Sequence, residues 1–202
     1  WGIGQRIATQ LGLLTTMAAL PIAVATARNQ GASSGLAKLH LGGHALVATL
    51  LPAAVGLTVL SAPLAEVIVA GPYRQVTAQI LWLATLAGSA RALRHHYLDD
   101  VLRLIERPKL LMVLGVGEAG LTAVLCVLGA VWYGPVGAVA GAAVAATATT
   151  VYAAACLTWL DGVPNLRRLF LPSLAASTLL AAFLLMFRDV RGVPGLLGLA
   201  LA

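Results

Sequence analysis

Residues 110–145, LLMVLGVGEAGLTAVLCVLGAVWYGPVGAVAGAAVA, decide the fold of this chain. The segment contains two apolar runs joined by the short uncharged sequence YGPVG, and Glu118 is its only charged residue. A helix of about 20 apolar residues crosses the hydrocarbon core of a bilayer. The alternation of polar and apolar residues that is typical of membrane barrels is absent. The segment therefore predicts two membrane-spanning helices connected by a tight turn.

The rest of the chain has the same character. Of its 202 residues, 60% are hydrophobic, against roughly 45–50% in a soluble domain, which would expose large apolar patches at such a content. We predict an all-α, polytopic transmembrane helix bundle of about six to seven spans. The candidate spans are 7–27, 42–70, 76–96, 110–132, 135–160 and 169–187, with another starting near 193.

Positive charge is distributed unevenly between the connectors. When alternate connectors are placed on opposite sides of the membrane, nine arginines and lysines fall on one side and four on the other. By the positive-inside rule the richer side is cytoplasmic. The net charge of +6 is thus interpreted as a topology signal, and no basic patch with interleaved aromatics predicts nucleic acid as a partner. The nine are Arg28, Lys38, Arg91, Arg94, Arg103, Arg107, Lys109, Arg167 and Arg168.

Three stretches, taken in order, resemble a known family. Residues 4–40 form an apolar helix with a proline and an amphipathic connector, and residues 50–74 form a helix closed by a Gly-Pro-Tyr turn. Residues 105–145 form the apolar hairpin. This order is similar to the C-terminal half of the polysaccharide (lipid-linked oligosaccharide) flippases of the multidrug/oligosaccharidyl-lipid/polysaccharide exporter superfamily. Glu118 departs from the family pattern, where a small or amide residue is expected.

The resemblance implies the second lobe of a transporter of about 12 to 14 helices that works by alternating access. Residues 1–160 would be the lobe, and residues 161–202 would be additional C-terminal transmembrane helices. It also implies a multi-pass protein of the bacterial inner membrane that flips lipid-diphosphate-linked oligosaccharide for cell-surface polysaccharide biosynthesis. Its partners would be that substrate, membrane lipids and a missing N-terminal lobe of the same chain. We predict no catalytic residues, metal or cofactor.

Glu118 lies about nine residues into the fourth predicted span, roughly 13 Å from its start at 1.5 Å per residue. Ionisable groups at such depth are functional candidates, because desolvation makes them costly. One interpretation is a site for proton or cation coupling that faces a cavity. The other is a carboxyl group paired with Arg91 or another neighbour. The sequence leaves both open. Glu66, near the end of its span, is expected to reach the interface and to be structural.

Arg91 and Arg94 are separated by three residues and share one helical face. A guanidinium group binds phosphate through paired donors in a planar fork. The two arginines are therefore candidate ligands of the lipid diphosphate. The alternative is that they contact lipid headgroups and set the topology.

His95, His96, Asp99 and Asp100 form two pairs spaced i, i+4 on adjacent helical faces. A metal needs three or four ligands that converge on one point, and two pairs about 100° apart do not converge. We expect a solvated helix end at this position, with Asp99 paired to Arg103.

Two other functions remain open. A cation-coupled multidrug exporter of the same superfamily would use acidic residues and an apolar pocket, and Glu118 is compatible with it. An intramembrane enzyme that acts on lipid phosphates would use the His/Asp cluster. Within the bundle, the small residues Gly137 and Gly141 predict close helix packing rather than a dimer interface.

Overall fold

The computed structural model describes residues 19–69, 71–159 and 175–180, and in these residues it contains helices and no strand. This confirms the predicted helical class. The predicted span beyond 193, all of span 169–187 except residues 175–180, and the first part of span 7–27 lie outside the described residues, as do most of residues 161–202. The helices are α1 (Ala19–Gln30), α2 (Ala32–Val59), α3 (Ser61–Ile68), α4 (Arg74–Leu93), α5 (Asp99–Leu104) and α6 (Pro108–Trp159).

Helix α6 folds back on itself at Gly134, which has φ 63° and ψ −147°. We call residues 108–133 the first arm and residues 135–159 the second arm. A β-carbon on Gly129 would overlap the carbonyl oxygen of Gly137, and one on Gly141 would overlap that of Leu125. The two arms therefore pack backbone to backbone. This confirms the predicted turn and the interpretation of Gly137 and Gly141 as packing residues.

Within the described residues, two helices are long and apolar enough to cross a membrane. They are residues Ser34–Val59 of α2 and the whole of α6. The total of about six to seven membrane-spanning helices stays a prediction. Helix α4, which corresponds to the predicted span 76–96, carries Arg74 at its beginning and Arg91 in its last turn.

The connector between the predicted spans 7–27 and 42–70 is almost entirely helical. Only Gly31 interrupts it, with φ 94°, a conformation that glycine adopts at little cost. Helix α2 begins at Ala32, ten residues before the predicted span at 42, because Leu36 and Leu39 pack against the core. The predicted span 42–70 is divided at Leu60 into α2 and α3.

Helix α4 packs between α2 and the second arm of α6, with its strongest contacts to α6. A core cluster near Gly134 joins Leu83 and Ala87 of α4 to Val139, Ala143 and Ala146 of the second arm. A second cluster at the opposite end joins residues of α2, α5 and both arms, among them Leu39, Leu46, Val101, Leu114 and Leu157. The candidate functional residues lie at this second end, which we call the charged end.

Helices α4 and α5 are joined by a turn of π-helix at Arg94–Leu98. The backbone N–H of Asp99 donates to the carbonyl of Arg94, five residues earlier. Such a turn inserts one residue into the helix and is frequent at functional sites. The inserted residue rotates the side chains that follow the turn, so the residues that share a helical face differ from those of a regular α-helix.

Candidate functional site

Glu118 of the first arm is buried against the end of α4, where it contacts two arginines. Nε of Arg91 donates to Oε1 of Glu118 at 2.9 Å, and Nη1 of Arg94 donates to Oε2. The Arg94 side chain is 1% exposed and the Glu118 side chain is 10% exposed. Two guanidinium groups therefore enclose one carboxylate in a site largely removed from solvent. We call Arg91, Arg94 and Glu118 the triad.

The triad brings together all three candidate residues that the sequence predicts. Of the two interpretations of Glu118, the pairing with Arg91 is present, and Arg94 is a second partner. The pairing does not decide whether Glu118 couples an ion or whether the arginines bind phosphate. It does show that the arginines face the bundle interior at Glu118, because a shared helical face directs both side chains to it.

His95 lies on the same side of the helix, four residues after Arg91. Its Nδ1 donates to Oδ2 of Asp99 at 2.9 Å, and its Nε2 lies 3.7 Å from Oε2 of Glu118. The imidazole is 48% exposed. A half-exposed histidine thus connects solvent to two buried carboxylates.

The π-turn places Asp99 in this cluster. In a regular α-helix, residues five apart lie about 140° apart around the axis, so Asp99 would not face Arg94. With the inserted residue, Oδ1 of Asp99 lies 3.6 Å from Nε of Arg94. Neither of these two buried atoms has a hydrogen-bond partner within the described residues. Arg94 and Asp99 therefore form an ion pair without a hydrogen bond. Nε of Arg94 can still donate a hydrogen bond, and Oδ1 of Asp99 can still accept one.

The expectation of a solvated helix end with an Asp99–Arg103 pair is wrong. Asp99 and Asp100 are both buried, because the π-turn directs Asp99 toward Arg94 and His95. Arg103 pairs with Asp100 instead, with its Nη1 at 3.3 Å from Oδ1. Burial raises the pKa of Asp100, against the opposing effect of Arg103.

A second contact fixes the π-turn to α2. The hydroxyl of Tyr97 lies 2.8 Å from Nδ1 of His40, and the aromatic ring occupies the space where a side chain of residue 43 would lie, which is glycine. Burial raises the pKa of Tyr97 to about 12, so the phenol stays un-ionised at ordinary pH. Tyr97 thereby anchors the residues that follow Arg94.

An apolar groove of about 360 Å³ runs along a different face of α4 from the one that carries Arg91, and no triad residue lines it. It runs between α2, α4 and the second arm, and its α4 side includes Ala90 and Leu93, on either side of Arg91 in sequence. The hydroxyl of Thr150, on the second arm, donates to the carbonyl of Ala90 at 3.0 Å. This bond holds the second arm against α4 along the groove.

The other polar residues have simpler surroundings. Glu66 is exposed on α3, at the end of the bundle away from the triad. Within the described part of the chain, no group of three or more His, Cys, Asp or Glu side chains is placed to hold a metal ion. At the triad, two guanidinium groups can bind an anion, and His95, Asp99 and Glu118 are close enough to exchange a proton.

His95 and Asp99 were not predicted as part of the site. A signal for His95 was present, since its i+4 spacing from Arg91 places it on the face that carries both arginines. Asp99 had a signal in its i, i+4 spacing from His95, with which it pairs, but its contact with Arg94 depends on the π-turn.

The chain matches no protein-family model, and no curated protein or solved structure is similar to it at a significant level.

Proposed function

We propose that the protein is a membrane transporter, a flippase that moves a lipid-diphosphate-linked oligosaccharide across the bacterial inner membrane by alternating access. In this proposal Arg91 and Arg94 hold the diphosphate. Glu118 is their counter-ion when no substrate is bound, and the substrate displaces it. The triad then alternates between an internal ion pair and a complex with the substrate anion.

The observation that carries the proposal is the convergence of two arginines on a single carboxylate. A diphosphate presents anionic oxygens to which planar guanidinium donors bind strongly. The distance between the two arginines is already set for one shared anion, because each binds a different oxygen of Glu118. Arg91 is 26% exposed, so an incoming anion can reach the triad through this side chain first.

The bundle also has a surface that suits the apolar part of such a substrate. The apolar groove lies on another face of α4 from Arg91 and has an almost entirely apolar lining, so in this proposal a hydrocarbon chain would pass around α4 to reach it. A lipid diphosphate has both parts, an apolar chain and a compact anionic group. The sugars would cross on the side of the triad where Arg91 is exposed to solvent.

The two other functions have weaker support from this geometry. A multidrug exporter needs a carboxylate that can meet an organic cation, whereas Glu118 has two guanidinium groups as partners. An enzyme that acts on lipid phosphates would use His95 and Asp99 near the arginines, and it would release a product from the lipid diphosphate. We therefore favour transport, with product release as a separate measurable outcome.

The test is translocation in vesicles. The full-length protein is reconstituted with a fluorescent sugar linked by diphosphate to a short prenyl chain, and an impermeant reductant quenches the outer leaflet. We expect Arg91→Gln to reduce the translocation rate by at least about tenfold, since each lost charge-assisted contact contributes about 1.5–3 kcal/mol. Arg74→Gln, which changes an exposed arginine at the other end of α4, serves as the matched control and should leave the rate unchanged.

Three results would reject the proposal. Translocation in Arg91→Gln equal to that of the wild type would remove the arginines from substrate binding. Efflux of a cationic dye, without movement of the lipid-linked sugar, would favour the exporter. Release of phosphate or of free sugar from the probe would favour the enzyme.

A further inference from the structure

His95 is placed between solvent and Glu118 in a way that the proposed transport step leaves unexplained. Nearly half of the imidazole is exposed, yet one nitrogen donates to buried Asp99 and the other faces buried Glu118. The contact with Asp99 alone would be enough for a histidine that only stabilised the fold. With both, the ring connects the outside of the bundle to the carboxylate that holds the two arginines.

Asp99 determines which nitrogen of His95 carries the proton. The hydrogen bond at 2.9 Å from Nδ1 to Oδ2 of Asp99 requires a proton on Nδ1, since a carboxylate only accepts. In the neutral ring the lone pair is then on Nε2, which points toward Oε2 of Glu118. When the ring is protonated, Nε2–H points to the same oxygen. Both states of His95 are therefore oriented for proton exchange with Glu118.

We infer that His95 delivers the proton that neutralises Glu118 when the substrate anion takes over Arg91 and Arg94, with Asp99 as the positioning residue. The inference deepens and rests on the proposed transport function. It assigns the coupling ion of this site as a proton and its entry point as His95.

The transfer moves one proton from solvent to Glu118 through His95. His95 takes a proton from solvent on Nε2 and becomes an imidazolium that keeps its Nδ1–H bond to Asp99. The Nε2–H bond breaks and an O–H bond forms on Oε2 of Glu118, which leaves a neutral imidazole and a neutral carboxylic acid. The 3.7 Å between Nε2 and Oε2 closes by a small rotation of either side chain.

Transfer is linked to substrate binding through the oxygen that accepts the proton. Oε2 of Glu118 is also the oxygen to which Arg94 donates, so Arg94 favours the charged carboxylate until it turns to the substrate. The positive charges that stabilise the carboxylate then face the diphosphate instead. Proton uptake and substrate binding therefore favour each other, and release of one favours release of the other.

The charged and titratable neighbours of this path are few. From α4 and the π-turn, Arg91 and Arg94 face Glu118, and His96 is adjacent to His95. From α5, Asp99 faces both His95 and Arg94. From α6, Glu118 is the acceptor itself. Within the described helices His96 forms no hydrogen bond or ion pair and is affected by His95 and Asp99 only through space, which makes it a matched control for His95.

The first experiment is the pH profile of translocation of the same prenyl-diphosphate sugar in vesicles. The wild type and His96→Gln should share a profile in which the rate rises as the pH falls, because the transferred proton comes from solvent. His95→Gln should lose this dependence and transport on the order of 10²-fold more slowly, as expected on loss of a positioned acid–base group. If the wild type translocates the probe and His95→Gln has the same pH profile as the wild type, proton delivery by His95 is overturned. The proposed transport function then still stands.

The second experiment does not depend on transport. Nitrogen-15 NMR of histidine-labelled full-length protein reports which ring nitrogen carries the proton. Neutral His95 should be the Nδ1–H form in the wild type and should change to a mixture dominated by Nε2–H in Asp99→Ala. Asp100→Ala, one residue away and paired with Arg103, should leave it unchanged. An Nε2–H form in the wild type would overturn the inference, and a wild type that moves no probe would overturn the proposed function together with it.

Discussion

The two ends of the α6 hairpin are held together in opposite ways. At the turn, Gly129, Gly137 and Gly141 allow the backbones of the two arms to touch, and no charge is involved. At the charged end, α6 is tied to α4 by a buried carboxylate that lies between two arginines. The contact at the turn requires residues without side chains, whereas the contact at the charged end is formed by long charged side chains.

The difference separates a structural contact from one that can change. Close backbone packing has a single geometry, and it is lost as soon as a β-carbon is added. An ion pair can exchange partners, since a guanidinium that leaves Glu118 binds equally well to another anion of suitable shape. We therefore expect the glycine end to be rigid and the charged end to be the part that responds to substrate and protons.

The largest effect is expected from Glu118→Ala. It leaves Arg94 buried and charged with only Asp99 nearby, and breaking a buried ion pair costs about 3–5 kcal/mol of unfolding free energy. Unfolding of the purified protein in detergent measures this loss. Glu66→Ala changes an exposed carboxylate and should stay within about 0.5 kcal/mol of the wild type. Equal losses in both variants would mean that the triad does not hold the charged end.

A somewhat smaller loss, about 3 kcal/mol, is expected from Gly137→Ala. Its β-carbon would overlap the carbonyl oxygen of Gly129, and a backbone atom yields less readily than a side chain to overpacking. Gly120→Ala is the matched control, because it lies on the first arm with open space around it and should be neutral or stabilising by up to about 1 kcal/mol. The same unfolding assay compares them, and a neutral Gly137→Ala would contradict the packed glycine end.

The turn itself is tested by Gly134→Ala. The backbone of Gly134 has a positive φ in a region that only glycine adopts readily, and forcing another residue into it costs about 2 kcal/mol. Gly71→Ala, at a turn with no positive φ and no close neighbour, should change the unfolding free energy far less. If the two variants unfold alike, the sharp turn does not depend on glycine.

The smallest effect is expected from Tyr97→Phe, which removes the hydroxyl next to His40 and keeps the ring against Gly43. The loss of one hydrogen bond costs about 1 kcal/mol. Tyr73→Phe, at an exposed tyrosine, should leave stability unchanged within about 0.5 kcal/mol. A Tyr97→Phe variant as stable as Tyr73→Phe would show that the contact with α2 does not fix the π-turn.

The hairpin was predictable from sequence because its determinants are local. Two long apolar runs flank a glycine–proline turn, and the small residues at 137 and 141 mark the packed face. The start of α2 was not predictable in the same way. Polarity around residues 28–44 suggested a connector, whereas the burial of Leu36 and Leu39 against the core favours a helix there.

The triad was predictable in part. The i, i+3 spacing of Arg91 and Arg94 placed them on one face, and Arg91 was a named candidate partner of Glu118. The contact of Asp99 with His95 follows their i, i+4 spacing. The contact of Asp99 with Arg94 was not predictable, because local spacing assumes an α-helix and the π-turn changes the register by one residue. Asp99 faces Arg94 and His95, and Arg103 pairs with Asp100 instead.

The most direct test of the central claim is the binding of a short-chain prenyl diphosphate to the full-length protein by calorimetry, with Glu118→Gln compared with the wild type. If Glu118 is the counter-ion that the substrate displaces, its removal eliminates a competitor. We predict that Glu118→Gln binds the diphosphate about tenfold more tightly, which corresponds to about 1.4 kcal/mol, and that Arg91→Gln binds it more weakly. Unchanged or weaker binding by a folded Glu118→Gln variant would contradict the account.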